Sequence, residues 1–90
     1  MTMTWRIDYS KDSWAFINEH SLQDKVREEL MKFLVVMKRG QAPLNLKKLA
    51  GKWTGYYRLR KGKIRIIFYI NKLEKALYID RVDFGGNVYK

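Results

Sequence analysis

Residues 57–70, YRLRKGKIRIIFYI, alternate apolar and charged side chains on both sides of a Lys-Gly-Lys step. Period-two alternation half-buries a strand, and two such runs joined through a glycine form a hairpin, here with its tight turn at Lys61-Gly62. If Tyr57, Leu59, Ile64, Ile66 and Phe68 face a core, then Arg58, Arg60, Lys63 and Arg65 face away from it. Four cations on one hairpin surface repel one another, a standing cost that an anion lying there would relieve. Tyr56 and Tyr69 fall on the same outward face and are placed to stack on bases or pack against sugars.

The remaining elements follow from the same periodicities. Thr4–Tyr9 alternates Trp5, Ile7 and Tyr9 with Arg6 and Asp8 and reads as a first strand. Ser10–His20 reads as a short helix with Ser10 or Asp12 as N-cap and Trp14, Ile17 and Phe16 at helical spacing. A second, longer helix starts at a Ser21-x-x-Asp24 capping signal. It carries Leu22, Val26, Leu30, Phe33, Leu34 and Met37 on one face and stops at Gly40. Residues 41–55 hold the single proline and read as loop, with a turn of helix near Leu46–Leu49. After a turn at Asn71–Lys75, Leu77, Ile79 and Val82 form a last strand whose alternation breaks near Asp80-Arg81, as at a bulge. The order predicts one α+β domain over residues 1–90. Two N-terminal helices pack on one face of a small, largely antiparallel four-stranded sheet, in the order βααβββ.

Composition narrows the chemistry. Ninety residues with 47% hydrophobic and 14% aromatic content support one core and one domain. No cysteine and a single histidine argue against a disulfide framework, a thiol nucleophile or a zinc site, so no metal and no cofactor is expected. No apolar run is long enough to span a bilayer, and the start of the chain lacks a secretion-signal pattern; the expectation is a cytoplasmic protein without a membrane partner.

The formal net charge is +10, and its source is local. No acid occurs between Glu29 and Glu74, whereas that stretch carries twelve cations, from Lys32 through Lys47, Lys48, Lys52 and the hairpin to Lys72. A field so concentrated attracts polyanions, because each neutralised phosphate releases condensed counterions. The candidate RNA-binding cations outside the strand arginines are Lys47, Lys48, Lys52, Lys61, Lys63 and Arg81. Glu28-Glu29 reads as a solvated helix face, His20 as structural or exposed, and Trp5, Trp14 and Phe33 as core.

The segment from Leu49 to Ile70, LAGKWTGYYRLRKGKIRIIFYI, resembles the hallmark of the RelE/ParE superfamily of bacterial and archaeal toxins, which runs roughly L-x-G, a gap, then G-x-Y-R-x-R-x-G-x-Y-R-x-x-Y-x-I. Val88-Tyr89 resembles the V-Y that ends that family's last conserved stretch. The resemblance implies a RelE-like fold and a toxin neutralised by an acidic antitoxin that wraps it, with DNA contacted only through the toxin–antitoxin complex. For the RelE-like branch it implies cleavage of mRNA on the ribosome, the RNA 2′-hydroxyl attacking the adjacent phosphate; for the ParE-like branch it implies poisoning of DNA gyrase. By the motif, Arg58, Arg60, Arg65 and Tyr89 are the candidate catalytic residues. Arg60 and Arg65 suit phosphate clamping by their planar guanidinium forks, and Tyr89 suits orienting the substrate or stacking on a base.

Two features depart from the pattern. Arg58 stands where relatives often have a lysine able to act as a base, and arginine is a clamp rather than a base. Where the family commonly has an arginine or a His-Arg pair shortly before the V-Y, this chain has Phe84-Gly85-Gly86-Asn87. Arg81, Lys52 and Lys63 are the cations placed to compensate.

Overall fold

The computed structural model describes residues 5–85. Along the chain run β1 (Arg6–Tyr9), α1 (Lys11–Glu19), α2 (Gln23–Lys38), β2 (Leu46–Lys48), a 3-10 turn (Gly51–Trp53), β3 (Tyr57–Lys61), β4 (Ile64–Asn71) and β5 (Ala76–Phe84). The strands form one sheet in the order β1-β5-β4-β3-β2. β1 lies parallel to β5, and every other pair is antiparallel. The α+β class and largely antiparallel sheet agree with the expectation, with five strands in place of four. The additional strand is β2, where a turn of helix was expected. Leu46 lies opposite Leu59 and packs on the core, while Asn45 Nδ2 donates to the Arg60 carbonyl at 2.8 Å. Pairing with β3 overrides the weak local helical preference, and the helical turn forms instead at Gly51–Trp53.

Both helices cover one face of the sheet. Ile17, Val26, Leu30, Phe33 and Leu34 meet Leu59, Ile66, Phe68, Leu77 and Ile79, all 2% exposed or less. Phe33 and Phe68 pack edge to face with ring centroids 5.2 Å apart. Of the other expected core aromatics, Trp5 is only partly buried, and Trp14 is 45% exposed, its ring leaning on Tyr9 at 5.0 Å. The inward positions of α1 are Ser13 and Ile17, and Trp14, one residue on, is turned about 100° away from them.

Ser10 caps α1 as its position predicts, its hydroxyl oxygen accepting from the Ser13 N–H at 3.1 Å. The same hydroxyl donates to the Asp80 carbonyl at 2.7 Å. Asp80 is the extra residue of a bulge in β5, because Ile67 pairs with Arg81 while Phe68 pairs with Ile79. The bulge thereby exposes a carbonyl that docks α1 to the sheet. Ser10→Ala is expected to lower stability by about 1–2 kcal/mol, read as a shift in the urea midpoint at unchanged slope.

The expected Ser21 capping signal is not used: the residue preceding α2 is Leu22, without a side-chain cap. Ser21 instead ends α1 in a left-handed conformation, φ 53°. Its N–H donates to the Asn18 carbonyl and that of Leu22 to Ile17, the paired bonds of a Schellman motif. The end of α2 repeats the device with Gly40 at φ 75°. No helix among the described residues is long and apolar enough to cross a membrane.

Candidate nucleic-acid interface

With the helices on one side, the other side of the sheet displays the alternate residues of β2 to β5. The registers arrange them in three transverse rows. Arg60 lies opposite Arg65, and Arg65 opposite Asp83. One step along, Lys47 lies opposite Arg58, Arg58 opposite Ile67, and Ile67 opposite Arg81. Beyond them, Tyr69 lies opposite Tyr78, with the Tyr56 ring 5.4 Å from Tyr69. Two residues along a strand separate successive rows by about 6.8 Å.

The first row is packed more closely than alternation alone predicts. Arg65 donates from Nε to Asp83 Oδ1 at 2.9 Å and from Nη2 to Oδ2 at 3.0 Å, a two-pronged pair that fixes the guanidinium plane. Asp83 also offsets the repulsion between the facing Arg60 and Arg65. Gly85, just beyond β5, makes room for both arginines: a Cβ there would lie 3.0 Å from Arg60 Nη2 and 3.4 Å from Arg65 Cδ. Any larger residue at position 85 would require Arg60 Nη2, the end of a flexible side chain, to give by a few tenths of an ångström. Asp83→Ala is expected to lower stability by about 1–3 kcal/mol, because it leaves a largely buried guanidinium without its strongest acceptor; Asp83→Asn, retaining one acceptor, should lose less in the same denaturation measurement.

The Nε atoms of Arg58 and Arg60 are buried and have no hydrogen-bond partner among the described residues. A buried donor left unpaired costs about 1–3 kcal/mol, and an acceptor reaches atoms so covered only when the arginine side chain shifts. Both arginines line a hollow of about 480 Å³ with Leu44, Asn45, Leu46 and Lys47, at the β2 edge of the sheet. A smaller hollow of about 260 Å³ between α1 and β5 holds Asp12 and Asp83 beside Arg81, a carboxylate-rich lining poorly suited to phosphate.

Of the other cations expected on this face, Lys47 and Arg81 are present. The Arg81 guanidinium lies 5.9 Å from the Trp53 ring centroid, and Lys52 sits beside that tryptophan in the 3-10 turn. Lys48 shares its parity with Leu46 and Tyr57 and so belongs to the helix side. Lys61 and Lys63 do not join the rows. The two-residue turn is Gly62-Lys63, one residue later than expected, since Lys61 pairs with Ile64 and Gly62 takes φ 59°. Lys61 is thus the last residue of β3, on the helix side, where its Nζ lies 3.7 Å from Glu29 Oε2. Glu29 is no solvated residue: it is 8% exposed and also 3.6 Å from Lys32. Lys63 lines a shallow hollow with Leu22, Lys25 and Phe84. Tyr89 lies outside the described residues.

His20 is exposed, packed at a tilt against Phe16 at 4.3 Å and edge-on to Phe84 at 5.0 Å, in agreement with a structural or exposed reading. Burial, then the nearby Asp80, Tyr69 and Tyr78, push the Tyr56 phenol above its ordinary value. Asp83, Asn45 and Trp53 are site residues that sequence reasoning missed. Only Asp83 carried a signal, since its spacing from Arg81 along one strand placed it on the outward face.

No protein-family model matches the chain, and no curated protein does. Solved structures match along nearly its whole length. The toxin–antitoxin complex RelBE2 of Mycobacterium tuberculosis is 20% identical at a TM-score of 0.60, over 91% of this chain and 99% of that one. The heterotetrameric YoeB–YefM toxin–antitoxin complex of Staphylococcus aureus is 17% identical at 0.67, over 93% and 100%. The archaeal RelE–RelB complex of Pyrococcus horikoshii is 22% identical at 0.64, over 96% and 100%. At this identity the likeness speaks for architecture: the chain has the RelE-like fold shared by these toxins.

Proposed function

We propose that this protein is the toxin of a toxin–antitoxin pair and an endoribonuclease that cleaves mRNA on the ribosome. The observation that carries the reading is the arginine-lined face, in which Arg58 and Arg60 hold buried, unpartnered donors on a RelE-like scaffold. In such a cleavage the 2′-hydroxyl attacks the adjacent phosphorus, the P–O5′ bond breaks, and negative charge builds on the non-bridging oxygens. Arg58 and Arg60 supply guanidinium donors to those oxygens, beside Arg65, whose plane Asp83 fixes. Arginine does not serve as the base, so proton transfer falls to another group, for which Tyr89 and the ribosome's own RNA are the candidates. An acidic antitoxin would complement the same field.

Mapping mRNA 5′ ends after induced expression tests the reading. New ends within translated messages are expected, and their absence would overturn it. The stretch Phe84–Asn87, which carries no cation, favours a second reading as a gyrase poison of ParE type. Inhibition of supercoiling by the purified protein would select it.

A further inference from the structure

The tyrosine row is a feature that phosphate clamping does not use. Trp53, Tyr56, Tyr69 and Tyr78 form a continuous chain of ring contacts on the helix-free face, with successive centroids 5.1, 5.4 and 5.4 Å apart, the first two pairs edge to face and the third tilted. All four are half-buried, so each keeps part of its side chain in solvent. The Arg81 guanidinium over Trp53 ties this line to the middle row.

We propose that the row Trp53–Tyr56–Tyr69–Tyr78 is a base-stacking platform for single-stranded RNA whose phosphates lie on the two arginine rows. The inference rests on the RNA reading above and adds where a flanking nucleotide sits. Row spacing supports it. The tyrosine row stands about 6.8 Å from the Arg58 row and about twice that from the Arg60–Arg65 row, a step comparable with successive phosphates of an extended strand. Charge supports it as well, because cations beside partly exposed aromatic rings are the combination that single-stranded nucleic acid binding requires. Stacking on a π-face is tolerant of sequence, so the platform adds affinity without selecting a base.

Fluorescence anisotropy with two labelled RNA hexamers tests the platform, one bearing bases and the other an abasic ribose–phosphate chain of equal charge. The wild-type protein is expected to prefer the base-bearing hexamer by about tenfold or more. Tyr69→Ala should abolish that preference and leave abasic binding and its salt dependence intact, whereas Tyr69→Phe should retain it. Equal wild-type affinity for both hexamers overturns the platform while leaving the RNA reading in place. No binding of either overturns the RNA reading itself. Retained abasic binding shows that Tyr69→Ala is folded. Should that variant fail to fold, the wild-type comparison alone decides.

Discussion

The double substitution Arg58→Ala, Arg60→Ala is expected to weaken binding of single-stranded RNA by roughly a hundredfold at low salt, taking about tenfold for each charge-assisted contact. The slope of log affinity against log salt should fall by about 1.4, since each lost phosphate contact on a single strand contributes about 0.7. These two arginines are singled out over Arg65 because their Nε donors are buried and unpartnered, whereas Arg65 is already held by Asp83. Lys72→Ala, in the turn between β4 and β5, is the matched control and should leave both quantities nearly unchanged. A double variant that behaves like Lys72→Ala would mean the rows are not the binding surface.

Phe68→Ala is expected to cost about 3–5 kcal/mol, the range for deleting a fully buried phenylalanine. Phe68 is 0% exposed, sits in the middle of the central strand β4 and holds the ring of Phe33 from α2. A domain of this size has a total stability of roughly 5–13 kcal/mol, so the variant should lose a large share of it. Urea denaturation followed by circular dichroism checks this, and a loss under 1 kcal/mol would mean that the site had refilled. Because Phe68 anchors the opposite face of the strand that bears Arg65 and Tyr69, RNA binding should disappear together with the fold.

What was legible in the sequence was whatever depends on local period. The alternation through Arg58, Arg60 and Arg65, the Ser10 cap, the Gly40 stop and the break at Asp80 were each readable within a few residues of chain. What was not legible depends on contacts distant along the chain. β2 is a strand because Leu46 and Asn45 meet β3. Ser21 ends one helix rather than starting the next, because its N–H is taken by Asn18. A turn expected at Lys61-Gly62 leaves Lys61 out of the strands and puts Lys63 on the outward face; with the turn one residue later, Lys61 closes β3 on the helix side and Lys63 becomes a turn residue. The partner of Lys61, Glu29, is on α2. Asp83 lies beyond the acid-free stretch, and only the pairing of β5 with β4 brings it to Arg65, where it orders the arginine row.

The most direct measurement is an NMR titration of the 15N-labelled protein with a short single-stranded RNA, following backbone amides and arginine Nε–H signals. Shifts confined to β2–β5 are expected, with the Arg58 and Arg60 Nε–H signals moving as these side chains shift to meet phosphate, while the exposed amides of α1 and α2 stay still. Shifts centred on the helices, with the Arg58 and Arg60 signals unmoved, would contradict an interface on the arginine-lined face.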